Sequence, residues 1–346
     1  MKKLLLIAFS FIAIFSFSQV REVIELKQNI KDKKGLTKSL TLIDNRKDKE
    51  IGKVSYKSEP VEIQFADADL NVRIENWFSE NNKAGGNNDI VLVLEELKVY
   101  DEQDEGQKSV FGKIKIKISS FIKRKDKYYF INRFDNVIVS DPKRTANVSK
   151  YLAQEVSNSI TEFIKASYTN SVLSQYIPEN EIGNYNSYLI KNNKSIYNSE
   201  LRKGVYLDFK SFSTQEPAYG YYVEKNKKGR VVRIKNKNEQ VGTSLSDAFC
   251  YVDEGKAYRY TPVGFLEMMK NDEGFYITAS RTELFAETKT GGVIVGAVAG
   301  GLVGAAIGAA IDSGSNKGAI NGFGFKSSTM TDVYIDSLTG SYVFIK

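Results

Sequence analysis

The chain has 346 residues, a formal net charge of +7 at pH 7, no histidine and a single cysteine, Cys250. Its length is enough for two ordinary domains, and the mild, dispersed positive charge predicts no nucleic-acid-binding surface. The missing histidines exclude Ser-His-Asp and Cys-His catalytic systems and histidine-ligated metal sites, and the single cysteine excludes an intramolecular disulfide framework.

The first 18 residues have the organisation of a secretory signal peptide. Lys2 and Lys3 form a positive n-region, residues 4–15 an apolar h-region, and residues 16–18 a small-x-small cleavage site ahead of Gln19. The sequence therefore predicts export, with a retained N-terminal anchor as the alternative. No cysteine stands at the cleavage site, so bacterial lipidation is not predicted.

Residues 19–170 are predicted to form an α+β domain. Apolar periodicity predicts five strands in it, at 38–44, 61–65, 90–94, 113–118 and 128–139. Asp67 or Asp69 is expected to cap a first helix, whose apolar face consists of Leu70, Ile74, Trp77 and Phe78. A second helix is predicted at 145–167. This order of elements favours a sandwich of two helices on one antiparallel sheet.

The first predicted strand runs into Asp44-Asn-Arg-Lys-Asp48, which is followed by Ile51-Gly52, a helix, a meander and a long closing helix. In these features residues 38–168 resemble bacterial envelope proteins that include the curli-export lipoprotein and small outer-membrane lipoproteins related to it. The resemblance implies a place in the cell envelope. The lipobox cysteine of those proteins is missing here, so their mode of anchoring does not carry over.

Residues 171–199 are polar and asparagine-rich, and they are predicted to be a linker or cap. Residues 200–346 are then predicted to form a β-rich domain with many Tyr and Phe. Its strands are expected at 204–212, 221–223, 230–234, 248–252, 257–260, 275–279, 332–336 and 341–345. The last two are predicted to form a terminal hairpin on the sheet begun near Gly204.

The run from Gly204-Val-Tyr206 through Phe249 to Tyr258 is similar to uncharacterised secreted envelope proteins of the Bacteroidota. The Lys, Asn and Ile bias of the chain and its Ser-Gln cleavage junction suit that origin. This second resemblance covers residues 200–346. It implies a compartment and no activity.

Residues 291–311, which we call the glycine strip, are 21 residues without a polar side chain. Glycine recurs there at every fourth position, at Gly292, Gly296, Gly300, Gly304 and Gly308. On a helix these glycines share one face, which allows close backbone approach of the kind that drives helix association in lipid. A helix of this length reaches roughly 31 Å, close to the hydrocarbon thickness of a bilayer. The pattern resembles the glycine-zipper segments of bacterial surface antigens.

The strip interrupts the predicted β-rich domain, so both of its ends are expected to remain near that domain. A single pass would place the terminal hairpin across the bilayer from its partner strands. A helical hairpin bent at Gly300-Gly301 would keep both ends on one side. Two further alternatives for the strip are a buried helix inside a soluble protein and a flexible linker.

A basic segment in the predicted hairpin at 221–234 is a second candidate site, for contact with anionic lipid headgroups or polysaccharide. Its cations are Lys225, Lys227, Lys228, Arg230, Arg233, Lys235 and Lys237. A plain exposed hairpin is the alternative. The acidic residues at 101–105 lack the ligand pattern of a calcium loop and are predicted to be a hairpin tip. Glu95 and Glu96 are not predicted to be a catalytic pair, because adjacent strand residues face opposite ways.

Together these patterns predict an exported, non-enzymatic protein in the periplasm or outer membrane of a Gram-negative bacterial envelope. Its fold class is predicted as an α+β N-terminal sandwich followed by a β-rich domain with an inserted glycine-zipper helix or helical hairpin. The strip is expected to associate with membrane, as a transmembrane or membrane-associated segment, or to form a homo-oligomer. No cofactor, metal or nucleic-acid partner is predicted. The alternative is a soluble periplasmic binding or scaffold protein with the glycine-rich helix buried.

Overall fold

The computed structural model describes residues 20–83, 85–103, 109–140, 145–168, 172, 175–192, 196, 200–237, 242–284 and 330–343. The predicted signal peptide and the glycine strip both lie outside these residues. The described chain is β-rich, in agreement with the coarse part of the predicted fold class, and it contains mixed sheets.

Eight of the described strands form a first sheet. They are β1 Arg21–Ile24, β2 Thr37–Asp44, β3 Gly52–Tyr56, β4 Glu59–Phe65, β5 Asn88–Glu102, β6 Phe111–Arg124, β7 Lys127–Ser140 and β8 Tyr176–Pro178. Their spatial order is β1-β4-β3-β5-β6-β7-β8, and β2 pairs with the first half of β5. β3 joins β5 further along, where Gly52 lies beside Val99.

The first sheet is mixed, which corrects the prediction of a purely antiparallel one. β1 runs parallel to β4, and both β2 and β3 run parallel to β5. The chain between β2 and β5 passes through β3, β4 and a helix, which supplies the long crossover that a parallel pair requires. β1 and β3 also add two strands to the predicted order.

Two helices, α1 Leu70–Asn81 and α2 Val148–Ser167, pack on this sheet. The side chain of Asp69 accepts hydrogen bonds from the N–H groups of Asn71 and Val72 and caps α1. The buried residues of α1 are the four that the sequence predicts. α2 contacts β6 and β7. The isoleucines of the alternating run in β6 lie in the same core as these helices.

The other face of the first sheet is covered by residues 176–192. After β8 come a 3-10 helix, Glu179–Asn184, and the helix α3, Tyr185–Asn192. Their buried side chains pack against Val91 and Val93, whereas the alternate residues of β5 face α1 and α2. The segment predicted as a linker is therefore, over these residues, a cap on the sheet.

The remaining elements follow in chain order. They are β9 Gly204–Tyr206, α4 Phe209–Thr214, β10 Tyr221–Lys225, β11 Val231–Asn236, a 3-10 helix Leu245–Asp247, β12 Cys250–Asp253, β13 Lys256–Thr261, β14 Gly264–Asn271, β15 Gly274–Ala279, α5 Arg281–Leu284, β16 Thr331–Ile335 and β17 Tyr342–Val343. Seven of these strands form a second sheet in the order β17-β16-β15-β14-β13-β12-β9. β10 and β11 form a separate hairpin that packs against it.

The hairpins predicted around 221–234 and 248–260 are confirmed. The strand predicted at 204–212 is wrong beyond Tyr206, because Asp208 and Ser211 form a capping box that starts α4. The Asp-x-x-Ser spacing is the signal for this helix start. Phe212 is buried and contacts Tyr206 in an edge-to-face arrangement.

Candidate functional site

The chain that carries the glycine strip leaves and rejoins the second sheet at adjacent strands. In the antiparallel pair of β15 and β16, Ala279 lies opposite Thr331. In the next register pair, Thr278 Oγ1 donates a hydrogen bond to Asp332 Oδ1 at 2.7 Å. The terminal strands thus lie on the sheet begun near Gly204, which confirms that prediction. The five glycines themselves lie outside the described residues.

A buried ion pair joins the two sheets. Arg133 of β7 donates from Nη1 to Asp336 Oδ2 at 2.5 Å, and both side chains are almost completely buried. Asp336 follows β16 directly, and its other oxygen accepts the N–H groups of Leu338 and Thr339. We call this contact, with the turn 336–340, the Arg133 junction.

The cap helix α3 completes the Arg133 junction. Arg133 donates to the hydroxyl of Tyr185 at 2.8 and 3.1 Å and to Asn186 Oδ1 at 3.1 Å. The Tyr185 hydroxyl in turn donates to Glu95 Oε2 at 2.6 Å. Three elements distant in sequence thus converge on one guanidinium.

The charges of the junction stabilise each other. Burial disfavours the charged guanidinium, but the carboxylates of Asp336 and Glu95 outweigh it, so the pKa of Arg133 is raised. Burial likewise disfavours the Asp336 carboxylate, yet Arg133 and the turn N–H groups hold its pKa below the ordinary value. Both groups therefore stay ionised at neutral pH, and their ion pair stabilises the contact between the two sheets.

The turn of the Arg133 junction depends on Gly340, which has φ +71°. A Cβ at this position would lie 2.5 Å from Cγ of Phe209. We expect Gly340→Ala to lower the free energy of unfolding by about 2–3 kcal/mol, measured by urea denaturation, because left-handed strain and a clash add up.

Gly255→Ala is the matched control for this substitution. Gly255 has φ +74°, but a Cβ there would meet nothing within 4 Å. We expect a loss of about 1 kcal/mol from backbone strain alone. Equal losses in both variants would show that contact with Phe209 is unimportant.

The alternating lysines of β6 lie on the face of the first sheet that points away from α1 and α2, which we call its outer face. Each of them is paired with a carboxylate. The pairs are Lys113 with Glu102, Lys115 with Asp135 and Lys117 with Glu95. Between them and Val343 lies a groove of about 650 Å³. The positive charges of these three lysines are thus neutralised within the sheet.

Glu95 and Glu96 do not face opposite ways as predicted, because a β-bulge lies at this point of β5. Register shifts between Leu94 and Glu96, so that Glu96 pairs with Lys117. Glu95 contacts that same lysine at 3.3 Å, and Glu96 lines the adjacent groove. Both carboxylates therefore lie on the outer face. Glu95 is held by Tyr185 and Lys117, which gives it a structural role.

The basic segment lies on the hairpin of β10 and β11, as predicted, but its cations are not equivalent. Lys225 pairs with Asp253 at 2.8 Å, and Lys235 pairs with Glu224 at 2.7 Å. The exposed cations at the tip and on the outer strand are Lys227, Lys228, Arg230 and Arg233, and Lys237 is exposed directly after β11. The structure therefore divides the predicted set into paired and exposed members.

Part of the acidic cluster at 101–105 already has protein partners. Asp101 accepts the N–H of Ser55, and Glu102 pairs with Lys113. Asp104 and Glu105 lie outside the described residues. Within the described ranges, no group of three or more Cys, Asp or Glu residues is arranged to hold a metal ion.

No family model, curated protein or solved structure matches this chain. Among the helices that the structure describes, none is both long and apolar enough to cross a bilayer.

Proposed function

We propose that this protein is an exported, non-enzymatic component of a Gram-negative cell envelope, akin to envelope proteins of the Bacteroidota. In this proposal its glycine strip associates with membrane and with copies of itself. The contact face consists of Gly292, Gly296, Gly300, Gly304 and Gly308. The observation that carries the proposal is the pairing of β15 with β16, the two strands between which the segment with the strip lies in the sequence.

This pairing favours a helical hairpin over a single pass. Paired strands place opposing Cα atoms about 5 Å apart, whereas a bilayer crossing would separate the flanks by roughly 30 Å. With a bend at Gly300-Gly301, each arm has about ten residues and reaches roughly 15 Å. Such a re-entrant hairpin needs protein around its bend, because every backbone N–H and C=O group in the hydrocarbon layer requires a hydrogen-bond partner. Packing between copies along the glycine face supplies those neighbours.

The two ends of β16 suggest an orientation. Its end at Ile335 leads directly to Asp336 in the Arg133 junction, whereas its beginning at Thr331 follows the strip-bearing segment. Five strand residues span about 13 Å, so the strip rejoins the domain away from the first sheet. In this proposal the second sheet is proximal to the membrane and the first sheet is distal.

The finer fold class that accompanies this function is an α+β sandwich of residues 19–170 followed by a β-rich domain of residues 200–346. Its support is that α1 and α2 share a core with the first sheet. The helices described beside the second sheet, α4 and α5, are short. The glycine strip is then an insertion in the second domain.

The test is alkaline carbonate extraction of host membranes with wild type and a Gly291–Ile311 deletion. We expect wild type to pellet and the deletion to be soluble and folded, since residues 280–290 and 312–330 still connect β15 to β16. Fluorescence of Trp77, the single tryptophan, reports the fold of the first sheet. A fully soluble wild type would refute membrane association and favour the scaffold protein with a buried strip.

A pair of leucine substitutions separates lipid insertion from self-association. Gly300→Leu with Gly304→Leu is expected to abolish oligomers in crosslinking while leaving the protein in the membrane fraction. Ala305→Leu with Ala309→Leu is the control, because on an ideal helix these residues lie about 140° and about 180° from Gly300. Oligomers lost equally in both variants would contradict a specific glycine face.

A further inference from the structure

The hairpin of β10 and β11 turns one face to the second sheet and the other to solvent. Ile234 is fully buried against that sheet. Its neighbours in the register, Tyr222 opposite Lys235 and Glu224 opposite Arg233, lie on the other face. The hairpin is thus held by its inner face, and its outer face is available for contact.

The tip of the hairpin holds three cations on a fixed backbone. Asn226 Oδ1 accepts the N–H groups of Lys228 and Arg230 at 2.9 and 3.0 Å, and its own N–H donates to Arg230 O. Gly229, with φ +77°, closes the turn. Because the turn is already ordered, Lys227, Lys228 and Arg230 lose little backbone freedom on binding an anion.

The hairpin has an excess of positive charge on its exposed side. Glu224 and Asp253 are each paired with a lysine of the hairpin. In the part of the chain that the structure describes, no ion pair involves Lys227, Lys228, Arg230 or Arg233. These unpaired cations create a local positive potential that attracts anions.

Apolar side chains lie exposed beside these cations. Val232 is 47% exposed and Tyr222 39%. Val232 is the extra residue of a bulge, which turns it outward next to Arg233, and Tyr222 lies opposite Lys235 on the outer face. An exposed tyrosine and an aliphatic side chain among cations suit the membrane–water interface, where one part of the ligand is charged and the next is apolar.

We propose that the outer face and tip of this hairpin dock on anionic lipid headgroups. Headgroup phosphates complement the unpaired cations, and Tyr222 and Val232 on the outer face enter the interfacial layer beneath them. An anionic polysaccharide offers the charge but no apolar layer for those two side chains. The proposal does not rest on the glycine strip, because peripheral contact with headgroups needs no inserted segment.

The test is sedimentation with vesicles of phosphatidylcholine, with and without phosphatidylglycerol. The tip variant carries Lys227→Glu, Lys228→Glu and Arg230→Glu. We expect its affinity for the anionic vesicles to fall on the order of 100-fold, since each cation near such a surface contributes about 1 kcal/mol. The mature chain is used both with and without the Gly291–Ile311 deletion.

The matched control reverses three exposed lysines elsewhere, with Lys31→Glu, Lys33→Glu and Lys34→Glu. It changes the net charge equally. We expect it to bind within about threefold of wild type, because salt screens the charges that lie more than a Debye length from the vesicle surface. Tyr222→Ser is expected to weaken binding about threefold to tenfold without altering its salt dependence, since it removes no charge.

Three outcomes would overturn the proposal. Equal losses in the tip variant and the control would indicate general charge attraction. Tip-dependent binding of an anionic polysaccharide, with no binding to vesicles, would identify a different ligand. Loss of vesicle binding in the strip-deleted chain alone would assign the contact to the strip. That last outcome supports the proposed function while contradicting the hairpin surface, so the two are distinguished.

Discussion

Replacement of Arg133 by methionine is expected to lower the free energy of unfolding by about 3–5 kcal/mol, because it leaves Asp336 as an unpaired buried charge. Asp336 is only 3% exposed, and Arg133 also donates hydrogen bonds to Tyr185 and Asn186. Urea denaturation followed by Trp77 fluorescence and by far-UV circular dichroism measures the loss. If the junction couples the sheets, the two probes coincide in wild type and separate in the variant.

A double-mutant cycle identifies the pair as the cause. Asp336→Asn keeps an oxygen for the turn N–H groups but removes the charge, so Arg133→Met with Asp336→Asn should lose less than the sum of the single changes. Lys123→Met breaks an exposed pair with Glu179 on the same sheet and is expected to leave stability nearly unchanged. Additive losses in the cycle would contradict a coupled junction.

Replacement of Glu155 by glutamine is expected to stabilise the protein by about 3 kcal/mol at pH 8 and by almost nothing at pH 4.5. Glu155 lies on α2 and is 1% exposed. Burial raises the pKa of its carboxyl from 4.5 to about 7, and a hydrogen bond from Asn158 offsets this only in part. Its Oε2 makes no hydrogen bond to any described residue.

The sign follows from the folded and unfolded pKa values of Glu155. Below pH 4.5 the carboxyl is neutral in both states and costs nothing. As pH rises through the window from 4.5 to 7, the unfolded state ionises first, so folding becomes less favourable. Above pH 7 the penalty is complete, and glutamine avoids it.

Urea denaturation at several pH values checks this dependence. Glu162→Gln on the same helix is the control, because Glu162 is partly exposed and paired with Lys165. It is expected to change stability little at every pH. A difference between wild type and Glu155→Gln that stays constant from pH 4.5 to 8 would contradict a buried carboxyl that titrates near neutrality.

Several elements are predictable because their signals are local. The cap Asp69 and the apolar positions 70, 74, 77 and 78 specify both the start and the buried face of α1, and the structure has both. The alternating lysines and isoleucines of β6 likewise predict a strand with one buried face. In each case neighbours within one or two turns determine the outcome.

The Arg133 junction has no such local signal in the sequence. A bulge at Ile131 shifts the register, since Phe130 pairs with Phe121 while Asn132 pairs with Ser120. Because of this shift, Arg133 and not Asn132 shares the face of Phe130. Its partner Asp336 lies 203 residues away in sequence. Strand periodicity predicts the opposite face, and nothing in the sequence predicts the ion pair.

By itself the sequence determined the start of α1, the strand hairpins and the spacing of the glycine strip, because these depend on residues close along the chain. The tertiary structure alone decided the mixed order of the first sheet, the bulges at Glu95 and Ile131, and the Arg133 junction. It also placed Ala279 and Thr331, which precede and follow the segment that carries the strip, on adjacent strands. These features depend on which distant segments pack together. The free energy gained by burying whole sheets stabilises them, even where the local periodicity predicts another arrangement.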